Sequence, residues 1–152
     1  MPISGAGAAK HGGRVNRPGV EALYLSLDTN TAILEYKQVS TLLPPGMLTS
    51  YHVIADPVVD FTQGYNASSW DPIWQDFYCD WRELWFNQHI EPPSWGIGDE
   101  VIAGAKGILF RSHCPGGDMN LVLYPETFRN SDFISVYDPD GSLQKRPLWG
   151  SW

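Results

Sequence analysis

The sequence predicts an α+β fold in a single domain, and three observations carry that prediction. The chain has 152 residues, of which 43% are hydrophobic, enough to build one sizeable core. Its elements do not alternate as in a parallel α/β sheet. An early strand and helix lead to a long amphipathic segment, and a cluster of short strands closes the chain. No repeat, low-complexity tract or linker divides residues 1–152.

Taken in order, residues 4–19 contain five glycines, which suits an ordered loop and not a helix. Ala22 to Leu27 reads as a strand, with Leu23 and Leu25 on one face and Tyr24 and Ser26 on the other. Asp28 is a good N-cap for a helix over Thr29 to Val39, and Pro44-Pro45-Gly46 ends that unit. Leu48 to Ile54 and Val58 to Thr62 follow as strands. The spacing of Trp74, Phe77, Tyr78, Trp81, Leu84 and Trp85 predicts a helix from Pro72 to Gln88, capped by Asp71, whose aromatic stripe packs in the core. After Pro92-Pro93, a short helix starts at Ser94 or Asp99 and runs to Ala105. Strands at Ile108 to Ser112, Leu121 to Tyr124 and Phe133 to Tyr137 complete the chain, with a turn at Asp138-Pro139-Asp140-Gly141.

The formal charge of −7 argues against a nucleic-acid duplex as a direct partner, because phosphate backbones need a basic face. An anion held by one or two placed arginines stays compatible with that total. No stretch forms a signal-peptide core or approaches a membrane span, so the expected location is the cytoplasm, without membrane contact. There Cys79 and Cys114 read as free thiols.

Several residues are candidates for chemistry. In Gly12-Gly13-Arg14-Val15-Asn16 the glycines let backbone N–H groups approach an anion, and a guanidinium can grip two phosphate oxygens. The same pattern also suits an exposed loop arginine. Tyr24 and Ser26 share a strand face, either as half-buried cross-strand residues or as ligand contacts. Glu35 has no lysine or arginine three or four positions away, so a routine helix-surface ion pair is absent. Ser112 closes an apolar strand face, where it bonds its own backbone or meets a pocket, and no nucleophile motif surrounds it. His113 and Cys114 point to opposite faces if the strand continues, which does not make a dyad. Cys79, His89, His113 and Cys114 lack metal-ligand spacing, so no metal is expected.

Arg14, Glu35 and Ser112, the last in GILFRSH, together resemble the three-residue signature of the RES-domain family, a group of NAD-consuming bacterial toxins. The block SGAGAAKHGGRVNRPGVEALYLSLDTNTAILEY looks like the ParT branch, whose members are ADP-ribosyltransferases, and the resemblance covers most of the chain. It implies the ADP-ribosyltransferase fold, a split antiparallel sheet with flanking helices. It implies NAD as substrate. Gly13, Arg14 and Asn16 would bind the dinucleotide at its diphosphate, with Tyr24 against nicotinamide and Ser26 and Asn120 as further contacts. Glu35 would stabilise the sugar cation and Ser112 would support the ribose or orient Glu35. The acceptor would be a protein, phosphoribosyl-pyrophosphate synthetase in the ParT branch, or else phosphate or water. The partner would be an Xre-like antitoxin that blocks the cleft. Family members carry a further segment before the SGAGAA block, including a strand; here only Met1-Pro2-Ile3 precede it, so the resemblance implies either a shortened start or a missing edge strand. A third class of function is a catalytically silent interaction domain with an aromatic-rich surface.

Overall fold

The computed structural model describes residues 6–38 and 48–138. Three helices, Ala6–His11 (α1), Thr29–Gln38 (α2) and Ser94–Ile102 (α3), flank six strands: Leu23–Ser26 (β1), Ser50–Ile54 (β2), Val59–Asp60 (β3), Gly107–Arg111 (β4), Met119–Leu123 (β5) and Phe133–Tyr137 (β6). The strands divide into a four-stranded sheet ordered β1-β5-β4-β3 and a two-stranded ribbon of β2 and β6.

β5 organises both halves because consecutive strand residues face opposite ways. Val122 and Leu123 are each fully buried, yet they belong to different cores. Val122 joins Val15, Phe61, Trp74, Phe77, Ile97 and Ile108 beneath α3. Leu123 packs with Leu23 and Ile134 against the ribbon. The register places Ser26 and Phe110 on either side of Asn120, which brings polar side chains from β1 and β5 together at one end of the sheet. Asp28 caps α2 as its side chain suggests: Oδ1 accepts from the Thr31 N–H at 2.8 Å, and Oδ2 from the Thr31 hydroxyl at 2.9 Å.

The α+β class holds, with differences in detail. Ala6–His11 is a short helix where a loop is expected: its alanines favour it, and Gly12, at φ 82°, ends it with an N–H to the Ala8 carbonyl at 2.8 Å. β3 pairs with β4 in parallel, so the main sheet is not wholly antiparallel. The expected helix over Pro72 to Gln88 is instead a 3-10 turn at Pro72–Asp76, an irregular link, and a π turn at Glu83–Asn87. Its aromatic stripe is core in part: Trp74, Phe77 and Trp81 are buried, while Tyr78, Leu84 and Trp85 are half-buried. Val39, Pro44-Pro45-Gly46 and Pro139-Asp140-Gly141 lie outside the described residues.

The ribbon is tied to the main sheet through Asp132, whose side chain is 1% exposed and forms an ion pair with Lys106. It also accepts backbone N–H groups from Arg129 at 2.8 Å and Asp56 at 3.2 Å. Burial alone would raise the pKa of this carboxyl; Lys106 and the two N–H donors outweigh it and hold the carboxyl below its usual 3.8. Its stabilising contribution is therefore full above that value and is lost as pH falls through the lower folded-state value. Asp132→Asn is expected to cost about 2 kcal/mol near neutral pH. In urea titrations the gap from wild type should narrow below pH 3.8; a gap that stays constant down to acid pH would contradict the ionised pairing.

Candidate active site

The loop Gly12 to Asn16 is fixed by side chains from three elements. Trp95 donates its indole N–H to the Gly13 carbonyl at 2.6 Å, the Ser94 hydroxyl donates to the Arg14 carbonyl, and the Tyr124 hydroxyl donates to the Val15 carbonyl at 2.8 Å. The Tyr24 hydroxyl accepts the Val15 N–H at 3.0 Å and donates to Asn16 Oδ1 at 2.6 Å. Asn16 Nδ2 then donates to the carbonyls of Ala8 and Val20, both at 2.9 Å. Glycines make these approaches possible. A Cβ on Gly13 would stand 2.6 Å from the Tyr24 hydroxyl, and one on Gly98 would stand 1.9 Å from the Val15 carbonyl oxygen.

The loop aims Arg14 at the irregular link between the two turns. Its Nη1 donates to the carbonyls of Phe77 and Cys79, each at 2.9 Å, and its guanidinium lies 5.7 Å from the centre of the Tyr78 ring. Among the described residues no carboxylate forms an ion pair with it. Burial lowers the Arg14 pKa, yet a guanidinium keeps its charge at neutral pH.

Glu35 is brought to the sheet by the hold on α2. The Asp118 N–H donates to Thr31 Oγ1 at 2.9 Å, joining the helix to the turn between β4 and β5. Glu35 Oε1 then accepts from the Ser112 hydroxyl at 2.5 Å and from Asn120 Nδ2 at 2.8 Å. Asn120 is oriented in turn by Ser26, whose hydroxyl donates to its Oδ1 at 2.7 Å. The two bonds fall on one carboxylate oxygen, so the side chain is held without using Oε2 for either.

Arg14 and Glu35 line one cavity of about 410 Å³, a size common for small-molecule sites. Gly13, Tyr24, Ser26 and Asn120 line it as well. Asn16 and Ser112 do not; each acts on a residue that does, Asn16 through Tyr24 and Ser112 through Glu35. Tyr24 is 37% exposed, although its hydroxyl is buried in the loop, and that burial raises its pKa.

Sequence reasoning missed part of the wall. Tyr78, Trp81, Arg82, Arg111 and His113 also line the cavity. Tyr78 and His113 stack with ring centroids 3.3 Å apart and planes 11° from parallel. Burial and then Arg14 lower the His113 pKa, against an opposing pull from Glu35, so the imidazole is neutral at pH 7. The chain leaves β4 at Arg111, so His113 and Cys114 are not strand neighbours, and their contacts still diverge. His113 meets Tyr78, while the Cys114 thiol donates weakly to Gln38 at 3.6 Å. Tyr78 reads in sequence as one more member of the core stripe, His113 stands out there only beside Cys114 and for metal binding, and nothing local marks Arg82.

The RES domain family model matches residues 1–145, and the chain belongs to the RES domain family. Among solved structures, the crystal structure of the M. tuberculosis MbcT–MbcA toxin–antitoxin complex is similar at a TM-score of 0.52 and 18% identity. The likeness covers 86% of this chain and 72% of that one, and it shows a shared fold. No curated protein matches the chain in sequence.

Tyr24→Phe separates the ring from its hydroxyl. It removes the donor to Asn16 and leaves the buried Val15 N–H without its acceptor. A loss of about 1–3 kcal/mol in chemical denaturation is expected. Unchanged stability would mean that the loop does not depend on this hydroxyl.

Proposed function

We propose that the chain is the toxin of a toxin–antitoxin system and acts as an NAD-dependent mono-ADP-ribosyltransferase. One observation carries this reading: a guanidinium with no acid partner among the described residues and a carboxylate held by two donors line the same cavity. A dinucleotide substrate offers what each of them suits, a diphosphate for the first and a ribose for the second. Family membership and the similarity to a toxin–antitoxin complex support the biological side.

In this reading Arg14 faces the diphosphate. Two carbonyls occupy Nη1 and set the plane of the guanidinium, leaving its other N–H groups for phosphate oxygens. Gly13 allows close backbone approach, and Asn16 keeps the loop in shape. The Tyr24 ring lies against the nicotinamide. As the nicotinamide–ribose bond breaks, the bonding pair leaves with nicotinamide and positive charge grows on the ribose carbon and ring oxygen. Glu35 stabilises that charge and the ribose hydroxyl beside it, more in the transition state than in the ground state. Ser112 and Asn120 hold Glu35, and Ser26 holds Asn120. A nucleophile on a protein acceptor, phosphoribosyl-pyrophosphate synthetase being the one that the ParT resemblance suggests, then bonds to the ribose carbon and releases its proton. An Xre-like antitoxin covering the cavity would stop the reaction by excluding NAD. No helix among the described residues is long and apolar enough to cross a membrane, which is compatible with a cytoplasmic setting.

Purified protein, incubated with NAD and cell lysate, should release nicotinamide and add an ADP-ribose mass to a lysate protein. ADP-ribose phosphate formed with inorganic phosphate, or free ADP-ribose without it, would instead make the chain an NAD phosphorylase or glycohydrolase. No nicotinamide release under any condition would leave an interaction domain. Glu35→Gln is expected to lower turnover about 100- to 1,000-fold, the typical effect of losing one preorganised transition-state contact, with little change in thermal unfolding. Near-normal turnover in that variant would remove Glu35 from the mechanism.

A further inference from the structure

Arg82, at the start of the π turn, lines the cavity with two other arginines, Arg14 and Arg111. It is exposed, and its guanidinium lies 4.9 Å from the centre of the Trp81 ring, whose burial gives that contact a fixed base. Its acidic neighbours are engaged elsewhere. Asp80 accepts the Glu83 N–H at 3.3 Å, and Glu83 accepts the amides of Asn87 at 2.5 Å and Gln88 at 3.4 Å. Among the described residues Arg111 pairs with Asp118 at 3.7 Å, whereas Arg14 and Arg82 pair with no carboxylate; Lys10, Lys37 and Arg129, which also pair with none, do not line the cavity.

Two unneutralised guanidiniums on one cavity are costly in isolation, since like charges disfavour each other. The positive charge of Arg82 acts on Arg14, the residue set against the diphosphate above. In a protein of net charge −7, acids were available to neutralise the pair, but none among the described residues does so. We infer that Arg82 is a ligand-binding residue that, with Arg14, clamps the two adjacent phosphates of a nucleoside diphosphate group. The inference rests on the NAD reading and adds the residue that meets the second phosphate. One arginine suffices for a monophosphate; a pair suits two linked anionic groups.

Calorimetric titration with ADP-ribose, and with AMP as a one-phosphate probe, tests this on wild type, Arg82→Gln, Arg82→Lys and Arg129→Gln. Arg129 is an exposed arginine bonded to the Thr127 and Phe128 carbonyls and serves as the control for net charge. Arg82→Gln should weaken ADP-ribose binding about 10- to 100-fold and AMP binding clearly less, with thermal unfolding unchanged. Arg82→Lys should fall between wild type and Arg82→Gln, and Arg129→Gln should bind as wild type does. Wild-type affinity for ADP-ribose in Arg82→Gln would overturn the inference while leaving the NAD reading intact. An equal loss in Arg129→Gln would reduce it to overall charge and overturn it as well, and an equal loss for AMP would overturn the diphosphate assignment. Failure of the wild type to bind ADP-ribose would remove the NAD reading, and this inference with it.

Discussion

The backbone from Gly13 to Val15 is the constraint on which the site depends. Three successive carbonyls are each held by a different side chain, from Trp95, Ser94 and Tyr124, and the Val15 N–H is held by Tyr24. A glycine-rich loop left to itself would sample many conformations and spread Arg14 over all of them. Here α3 and the sheet choose one conformation before any ligand arrives. That preorganisation matters because ordering a loop during binding subtracts from affinity. Gly98 makes it possible by letting α3 approach the loop backbone more closely than a Cβ would permit.

The cavity's charged groups are held in contrasting ways. Arg14 and Arg82 have no carboxylate partner among the described residues and are steadied by carbonyls and aromatic rings: Arg14 by Phe77, Cys79 and Tyr78, Arg82 by Trp81. Glu35 stands among neutral donors, Ser112 and Asn120, and no lysine or arginine pairs with it among the described residues. Neutral partners fix geometry without cancelling charge, so these groups keep a full field for a ligand. Tyr78 stacked on a neutral His113 adds a flat, uncharged section to the same wall.

Much of the frame was legible in the sequence because local chemistry and tertiary structure agree there. Asp28 caps α2, and β1, β2, β4, β5 and β6 lie within about two residues of where their apolar patterns put them. The failures share a cause in long-range contacts. In a regular helix the Phe77 carbonyl would accept from the residue four positions on; instead it accepts from Arg14, and the Trp81 N–H turns to Cys79 at 2.9 Å. The aromatic spacing survives because burial needs the rings on one side, not because the backbone is helical. Arg82 faces the cavity as a result of that broken path, and His113 because the chain leaves β4 at Arg111 and stacks the ring on Tyr78. Of the candidate residues, Gly13, Arg14, Tyr24, Ser26, Glu35 and Asn120 come together on one wall, while Asn16 and Ser112 act through their neighbours.

The central claim is that Arg14 and Glu35 address two parts of one dinucleotide. A crystal structure of the protein with ADP-ribose addresses it most directly. The account predicts phosphate oxygens within hydrogen-bond distance of the Arg14 guanidinium, and the ribose that would carry nicotinamide in NAD at Glu35. Ligand bound elsewhere, or with its diphosphate turned away from Arg14, would contradict it.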